Sequence, residues 1–148
     1  MSDMFGVAQT ASIAVTANVA KTAVQLISPA NHRVKVLGWG VFFDGISTTA
    51  QPIQIRLVRQ TTAGTMTALT LNKTAPRAET LLSTAQHTAT AEPSNSDVVD
   101  VITCHPQQGY EIKFPFGQEI TLGGGERIGL EILSTANINV RAKLFFEE

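Results

Sequence analysis

The stretch 32–44, HRVKVLGWGVFFD, constrains the fold of this chain more than any other. Side chains alternate between the two faces of a β-strand, and the even-numbered positions between the ends of this stretch are all apolar or small. The odd-numbered positions begin charged, at Arg33 and Lys35, and become apolar from Leu37 to Phe43. The pattern predicts a strand with one solvent-exposed face in its first half and two buried faces in its second half. The second buried face needs a cover, which is either another sheet or another subunit.

The remaining chain repeats the two-residue period in short segments that turn residues separate. About eight to ten short strands and no long helix indicate an all-β protein. Long loops at one end and a last strand with a complete apolar face favour a single-domain antiparallel jelly-roll sandwich over an immunoglobulin-type sandwich. The clearest segments are 53–57, 99–101, 110–116, 128–132 and 138–146.

Two parts of the chain have less regular patterns. Residues 1–9 are predicted to form a flexible N-terminal arm, and residues 10–148 the jelly-roll domain. Inside that domain, the Thr- and Ala-rich segment 61–97 is predicted to be a long loop excursion over one end. It contains a candidate strand at 66–71 and a candidate helical turn at 77–83.

The segment before Pro29 allows two interpretations. Val15, Val19, Ala23 and Ile27 are spaced by four residues, as on one face of a helix. The high content of Val and Thr, with Pro29 as a stop, favours strands instead.

Composition excludes several classes of function. Charged residues make up 16% of the chain, against about 25% in an average soluble domain. Either part of the surface is covered in use, or it is built from neutral Thr, Ser, Asn and Gln. The net charge is −1 with no basic cluster, which argues against nucleic acid as a partner.

No apolar run approaches the ~20 residues of a membrane helix, and no secretory signal is seen. The single Cys104 forbids an intrachain disulfide, so we expect assembly in a reducing cytoplasm.

The candidate catalytic and metal-binding residues each have a simpler structural interpretation. Cys104 and His105 are a nucleophile beside a base, but neighbouring strand residues face opposite ways, so a buried thiol beside a turn is favoured. His32, His87 and His105 lack the spacing of a metal site. Asp44, Asp97, Asp100 and Glu92 could form a carboxylate cluster, but they flank turns, where acidic residues cap backbone donors. Trp39, Phe42, Phe43 and Tyr110 could form an aromatic ligand platform, but packing in the core or at a subunit contact is favoured.

Two short motifs resemble functional sites without their context. Gly123-Gly124-Gly125 has no Lys-Ser/Thr after it, so a hairpin turn is favoured over a phosphate loop. Asn72-Lys73-Thr74 matches a glycosylation acceptor by chance. We therefore predict no enzymatic activity, no cofactor and no metal.

Several scaffold motifs resemble a group of small tailed-bacteriophage virion proteins. The likeness spans roughly residues 20–148 and is most distinctive at Phe43-Asp44-Gly45, at Thr90-Ala91-Glu92-Pro93, at His105-Pro106-Gln107 and at 124–130, GGERIGL. These motifs are similar to those of capsid decoration, or cement, proteins with a jelly roll like that of tumour necrosis factor-like trimers.

The resemblance implies a structural role in a virion. The expected partners are two further copies of the chain and the major capsid protein, and the expected location is the outer surface of a phage head, after synthesis in the host cytoplasm. The alternative is a jelly-roll binding module of a tail or fibre, with affinity for a glycan or receptor. The residues predicted to form the subunit contact are Leu37, Trp39, Val41, Phe43 and Phe145.

Overall fold

The computed structural model describes residues 4–44, 51–74 and 78–148, and two antiparallel sheets account for the regular structure in these ranges. The first sheet contains β1 (Phe5–Gln9), β2 (Ile13–Val15), β4 (Val34–Phe43), β7 (Asn72–Lys73), β10 (Tyr110–Lys113), β11 (Ile120–Leu122) and β13 (Ile138–Glu147). The second sheet contains β3 (Lys21–Ile27), β5 (Ile53–Gln60), β6 (Thr65–Leu69), β8 (Thr84–Ala91), β9 (Asn95–Cys104) and β12 (Arg127–Leu133). None of the described residues belongs to a helix that could cross a membrane.

The strand order confirms the predicted antiparallel sandwich, although the described residues form thirteen strands where about eight to ten were predicted. The first sheet runs β10-β4-β13-β1-β7, with β11 also beside β4 and β2 also beside β13. The second sheet runs β6-β8-β3-β12-β5-β9. The chain changes sheets from β3 to β4 to β5, and again from β11 to β12 to β13, which is the connectivity of a jelly roll. The strands favoured for the segment before Pro29 are therefore confirmed as β2 and β3.

The core lies between the two sheets and is built from alternate residues of the longest strands. Leu26, Leu57 and Leu130 approach from the second sheet, and Leu144 and Phe146 from the first, all fully buried. Burial of each such side chain contributes about 1.5–3 kcal/mol of transfer free energy. The two-residue period of these strands is thus the signature of a single shared core.

A β-bulge in β4 explains why both faces of this strand look apolar in the sequence. In the ladder with β13, Val36 pairs with Phe146 and Gly38 pairs with Phe145, so Leu37 is an extra residue. An extra residue reverses which side chains point inward. Even-numbered residues therefore face the core before the bulge, and odd-numbered residues face it afterwards. The cover over the second half of β4 is the second sheet of the same chain.

The predicted N-terminal arm was wrong for residues 5–9. Strand β1 pairs with β13 on one side and with β7 on the other. The pairing with the end of the chain continues to the residue before β1, because Met4 and Glu148 exchange backbone hydrogen bonds of 3.0 and 2.9 Å. Residues 1–3 lie outside the described residues.

The segment 61–97 is more ordered than predicted. It adds β6 and β8 to the edge of the second sheet and β7 to the first sheet. The candidate strand at 66–71 is confirmed as Thr65–Leu69. The predicted helical turn is wrong for residues 78–83, which form no helix, and Arg77 lies outside the described residues.

A buried polar network covers part of the outer side of the second sheet. The Gln25 amide, fully buried, donates to Gln60 Oε1 at 2.7 Å and to the Thr62 carbonyl at 3.1 Å. Gln60 in turn donates to Thr22 Oγ1 at 3.0 Å and to Asn95 Oδ1 at 3.1 Å. Because each amide of the network is paired, the network favours one arrangement of the chain segments that supply its residues.

Gly129→Ala is expected to lower the free energy of unfolding by about 1–3 kcal/mol, because overpacking a closed site forces its neighbours to move. A Cβ at Gly129 would lie 2.4 Å from Gln60 Oε1, and three hydrogen bonds fix that amide in place. Urea denaturation measures the effect. In the double variant with Gln60→Ala the clash is gone, so the two losses should not add. A Gly129→Ala protein as stable as the wild type would contradict this explanation.

Candidate subunit-contact surface

The residues predicted as a nucleophile and base do not form a reactive pair. Cys104 ends β9 with its side chain buried, and burial raises the pKa of its thiol to about 11. His105 Nδ1 instead accepts a hydrogen bond of 3.2 Å from the Gln107 backbone amide. The buried thiol beside a turn histidine, favoured from the sequence, is the arrangement that the structure shows.

Cys104 is expected to react slowly with an aromatic disulfide reagent at pH 8 in the folded protein and rapidly in urea. Because burial raises the pKa of this thiol from 9.0 to about 11, the thiolate fraction at pH 8 is about 100-fold lower in the folded protein. Because the folded state holds this proton more tightly, the thiol's contribution to stability is present below pH 9 and is lost as pH rises towards 11. Equal rates for folded and unfolded protein would contradict the burial of this residue.

The candidate carboxylate cluster, which the sequence disfavoured, does not form in the described part of the chain. Within these ranges, no group of three or more His, Cys, Asp or Glu residues could hold a metal ion. Glu92 accepts hydrogen bonds from Thr22, from the backbone amide at 2.7 Å and from the hydroxyl at 2.9 Å. Asp100 accepts one of 3.3 Å from Trp39 Nε1. These two carboxylates therefore join segments that lie far apart in the sequence.

The glycine-rich motif forms a turn between β11 and β12, but the predicted hairpin is wrong, because the two strands pair with partners in different sheets. The backbone amide of Glu126 donates to the Gly123 carbonyl at 3.2 Å, and Gly125 has a φ of 77°, which favours glycine. The Glu126 carboxylate also accepts from the Gly123 amide at 2.9 Å. Asn72 and Lys73 of the other short motif form β7 beside β1.

The four residues of the candidate aromatic platform are divided between the core and the surface. Trp39 is fully buried, and its ring is tilted 45° against that of Tyr110 at a centroid distance of 5.4 Å. Phe43 is half-buried and packs against the core, whereas Phe42 points outward and is exposed. A ligand could not stack on Trp39 without opening the sandwich.

The predicted subunit-contact set is also divided. Trp39 and Val41 are fully buried inside the chain, and Phe43 packs beside them, so the side chains of Trp39 and Val41 do not reach a surface. Leu37 and Phe145 do lie on the outer side of the first sheet. The bulge at Leu37 is the physical reason for this division, since it turns the odd-numbered residues after it towards the core.

The outer face of the first sheet carries an apolar patch with charged edges. We call the patch formed by Phe5, Leu37, Phe42 and Phe145 the outer apolar face. In the strand pairing, Glu111 and Lys143 lie opposite Gly40, and Lys113 and Phe145 lie opposite Gly38. Because the strands are antiparallel and in register, these side chains share one side of the sheet.

Two lysines lie along this outer apolar face. The Lys143 ammonium is 2.8 Å from the Glu111 carboxylate, 5.0 Å from the ring centre of Phe42 and 5.2 Å from that of Phe145. The Lys113 ammonium is 4.7 Å from the ring centre of Phe145. Each lysine thus covers apolar surface with its methylene chain and keeps its charge at the edge.

A groove crosses the same face between β1, β4 and β13. Its volume is about 240 Å³, its walls include Phe5, Leu37, Lys113 and Phe145, and Phe146 forms part of its base. Phe5 was not predicted to lie on this surface, because residues 1–9 show no strand pattern in the sequence. A Phe145-Phe146 pair in the last strand did indicate that one of the two rings faces outward, since neighbouring strand residues face opposite sides.

Comparisons with known proteins give no relative from which a role could be transferred: no family model, no curated protein and no solved structure matches this chain.

Proposed function

We propose that this protein is a structural virion protein, a trimeric decoration or cement protein that binds the outer surface of a phage head and stabilises it. One observation carries the proposal: the outer apolar face presents three phenylalanines and Leu37 on a rigid sheet. Phe5 and Phe42 are 39% and 37% exposed in the single chain. Patches of this kind on soluble proteins mark interaction surfaces.

The chemistry of this face supports contact with further copies of the same chain. It offers both signs of charge, from Lys113, Lys143 and Glu111, so a second copy can match each charge with its opposite. Its aromatic rings are residue types enriched in the centres of protein interfaces. Gly40 has no side chain in the middle of this face, and the Lys143 side chain lies over that position.

The proposed mechanism is multivalent attachment. A standard interface buries about 800 Å² per partner, which is enough to cover this face. A trimer placed over a three-fold position would contact several shell subunits at once. Linked contacts strengthen overall binding about 10²–10⁴-fold without any new type of contact. The shell would gain resistance to internal pressure, heat and shear.

The solution mass and shell binding test the proposal together. Size exclusion with light scattering is expected to give three copies of the 15.8 kDa chain, about 47 kDa. The trimer is then mixed with matched shells that lack decoration, and bound protein is counted after sedimentation. Saturable binding and a higher melting temperature of the shells are expected. Failure to bind matched shells would refute the proposal.

The second candidate is a binding module of a tail or fibre. Phe116 favours it, because this ring is 99% exposed at a loop end beside the polar residues Gln118 and Glu119. Such an aromatic residue suits stacking on a sugar. A glycan array with the wild type and Phe116→Ala tests it, and equal signals from the two proteins would exclude Phe116 as a glycan contact.

A further inference from the structure

A rigid turn presents one phenylalanine to solvent at the edge of the first sheet. Gln118 N donates to the Pro115 carbonyl at 2.9 Å, and Gly117 has a φ of 88°. A proline followed two residues later by a glycine with positive φ fits a tight turn with Phe116 at its apex. The Gly117 amide also donates to the Glu119 carboxylate at 2.9 Å, which fixes the turn from the other side.

The Phe116 ring gains no contact from its own chain. Its exposure of 99% is the highest among the large apolar side chains in the described ranges. Most exposed apolar residues in these ranges keep half or more of their surface covered, whereas the Phe116 ring is surrounded by solvent. The hydrogen bonds of the turn fix the backbone at this residue. A pre-organised aromatic side chain costs little further conformational entropy on binding, which is a property of interface hot spots.

The groove on the outer apolar face is the complementary feature. It is open and apolar, with Phe5, Leu37 and Phe145 in its walls and the Lys113 ammonium at its rim. An aromatic ring placed there would contact other rings and lie within reach of a cation, both of which are favourable. The chain therefore carries an unpaired aromatic anchor and an unfilled aromatic groove that do not meet within one copy.

We propose that Phe116 of one copy sits in the groove of the next copy. The anchor and the groove are different surfaces, so the contact is heterologous, and repetition of such a contact around an axis closes a ring. This inference deepens the proposed function and rests on it, since it names the residues that join the subunits of the trimer.

Cysteine pairing between separate chains tests the contact. Phe116→Cys and Phe5→Cys are made in different chains, each with Cys104→Ala, then mixed, unfolded, refolded together and exposed to a mild oxidant. We expect a covalent pair on a non-reducing gel. One chain that carries both cysteines is expected to give covalent trimers, because each copy links to the next around the ring. Covalent dimers without trimers would overturn the ring arrangement.

A matched control uses Val19, an exposed apolar residue on a turn outside the groove. Phe116→Cys mixed with Val19→Cys should give no covalent pair. Phe116→Ala should weaken self-association at least about 30-fold, the effect of losing a hot spot, whereas Val19→Ala should leave it unchanged. A trimer of full strength with Phe116→Ala, and no link between positions 116 and 5, would overturn the inference.

The two proposals fail in different ways. A trimer that binds shells but does not use Phe116 refutes the anchor and leaves the decoration role. A Phe116-linked trimer that ignores matched shells refutes the decoration role and leaves the anchor. A wild type that stays monomeric at micromolar concentration refutes the contact between copies. Loss of shell binding alone with Phe116→Ala would place this ring on the shell and would also refute it.

Discussion

Trp39→Ala is expected to lower the free energy of unfolding by about 3–5 kcal/mol, the range for loss of a large aromatic side chain from a core. Trp39 is fully buried in the middle of β4, between the two sheets. The substitution removes the packing against Tyr110 and the hydrogen bond of 3.3 Å from Nε1 to Asp100. The loss is a substantial part of the 5–15 kcal/mol that a typical domain possesses.

Urea denaturation followed by circular dichroism measures this effect, because the variant has no tryptophan fluorescence. Trp39→Phe is the matched control: it keeps an aromatic ring in the core and loses mainly the hydrogen bond to Asp100, for about 1–2 kcal/mol. If Trp39→Ala left the single chain stable and only dissociated an oligomer, Trp39 would belong to a subunit contact, and the bulge at Leu37 would be in the wrong place.

The strands with a clean two-residue period were predictable because burial decides their pattern. In β12 and β13, alternate residues face the core over the whole strand, so the sequence shows the contrast directly. The bulge in β4 was not predictable. Gly38 and Gly40 flank Trp39 and are equally compatible with either face of the sheet. The sequence therefore does not show at which residue the core-facing positions change from even to odd numbers. The assignment of Trp39 and Val41 to an outer surface followed from that ambiguity.

Residues 1–9 and 61–97, which were predicted to lie outside the sheets, lack a clear alternation of apolar and polar residues. Strand β1 is short, and its position depends on pairing with β13, which lies at the other end of the chain. Strand β8 is rich in Thr and Ala, which pack on a sheet without a strong apolar signal. The buried network around Gln25 and Gln60 adds to the difficulty, because it places polar residues at buried positions. Such polar burial depends on partners that only the fold brings together.

The outer apolar face could be predicted only in part. Leu37 and Phe145 were assigned to a contact surface and do lie there, but Phe5 and Phe42 complete it through pairing of three strands. No local pattern joins residues of β1, β4 and β13. The turn at Phe116 had a readable signal in Pro115 and Gly117, although the alternation before it favoured a strand.

Phe145→Lys is expected to abolish self-association while leaving the chain folded. In the single chain, Phe145 is half-buried and its ring lies 4.7 Å from the Lys113 ammonium and 5.2 Å from the Lys143 ammonium. A third ammonium at this point can turn into water in a monomer, at a cost of about 1 kcal/mol for the lost contacts. Between two copies it would lie beside like charges in a desolvated contact, where a mismatched charge costs several kcal/mol.

Light scattering should therefore show a monomer of Phe145→Lys, with a far-ultraviolet circular dichroism spectrum like that of the wild type. Val19→Lys, which adds the same charge at another exposed apolar position, should remain a trimer. Because single chains lose the multivalent gain, binding of Phe145→Lys to shells should weaken about 10²–10⁴-fold. A Phe145→Lys protein that still forms trimers would show that the subunits meet through another surface, because a close contact over this face would desolvate the added ammonium beside Lys113 and Lys143.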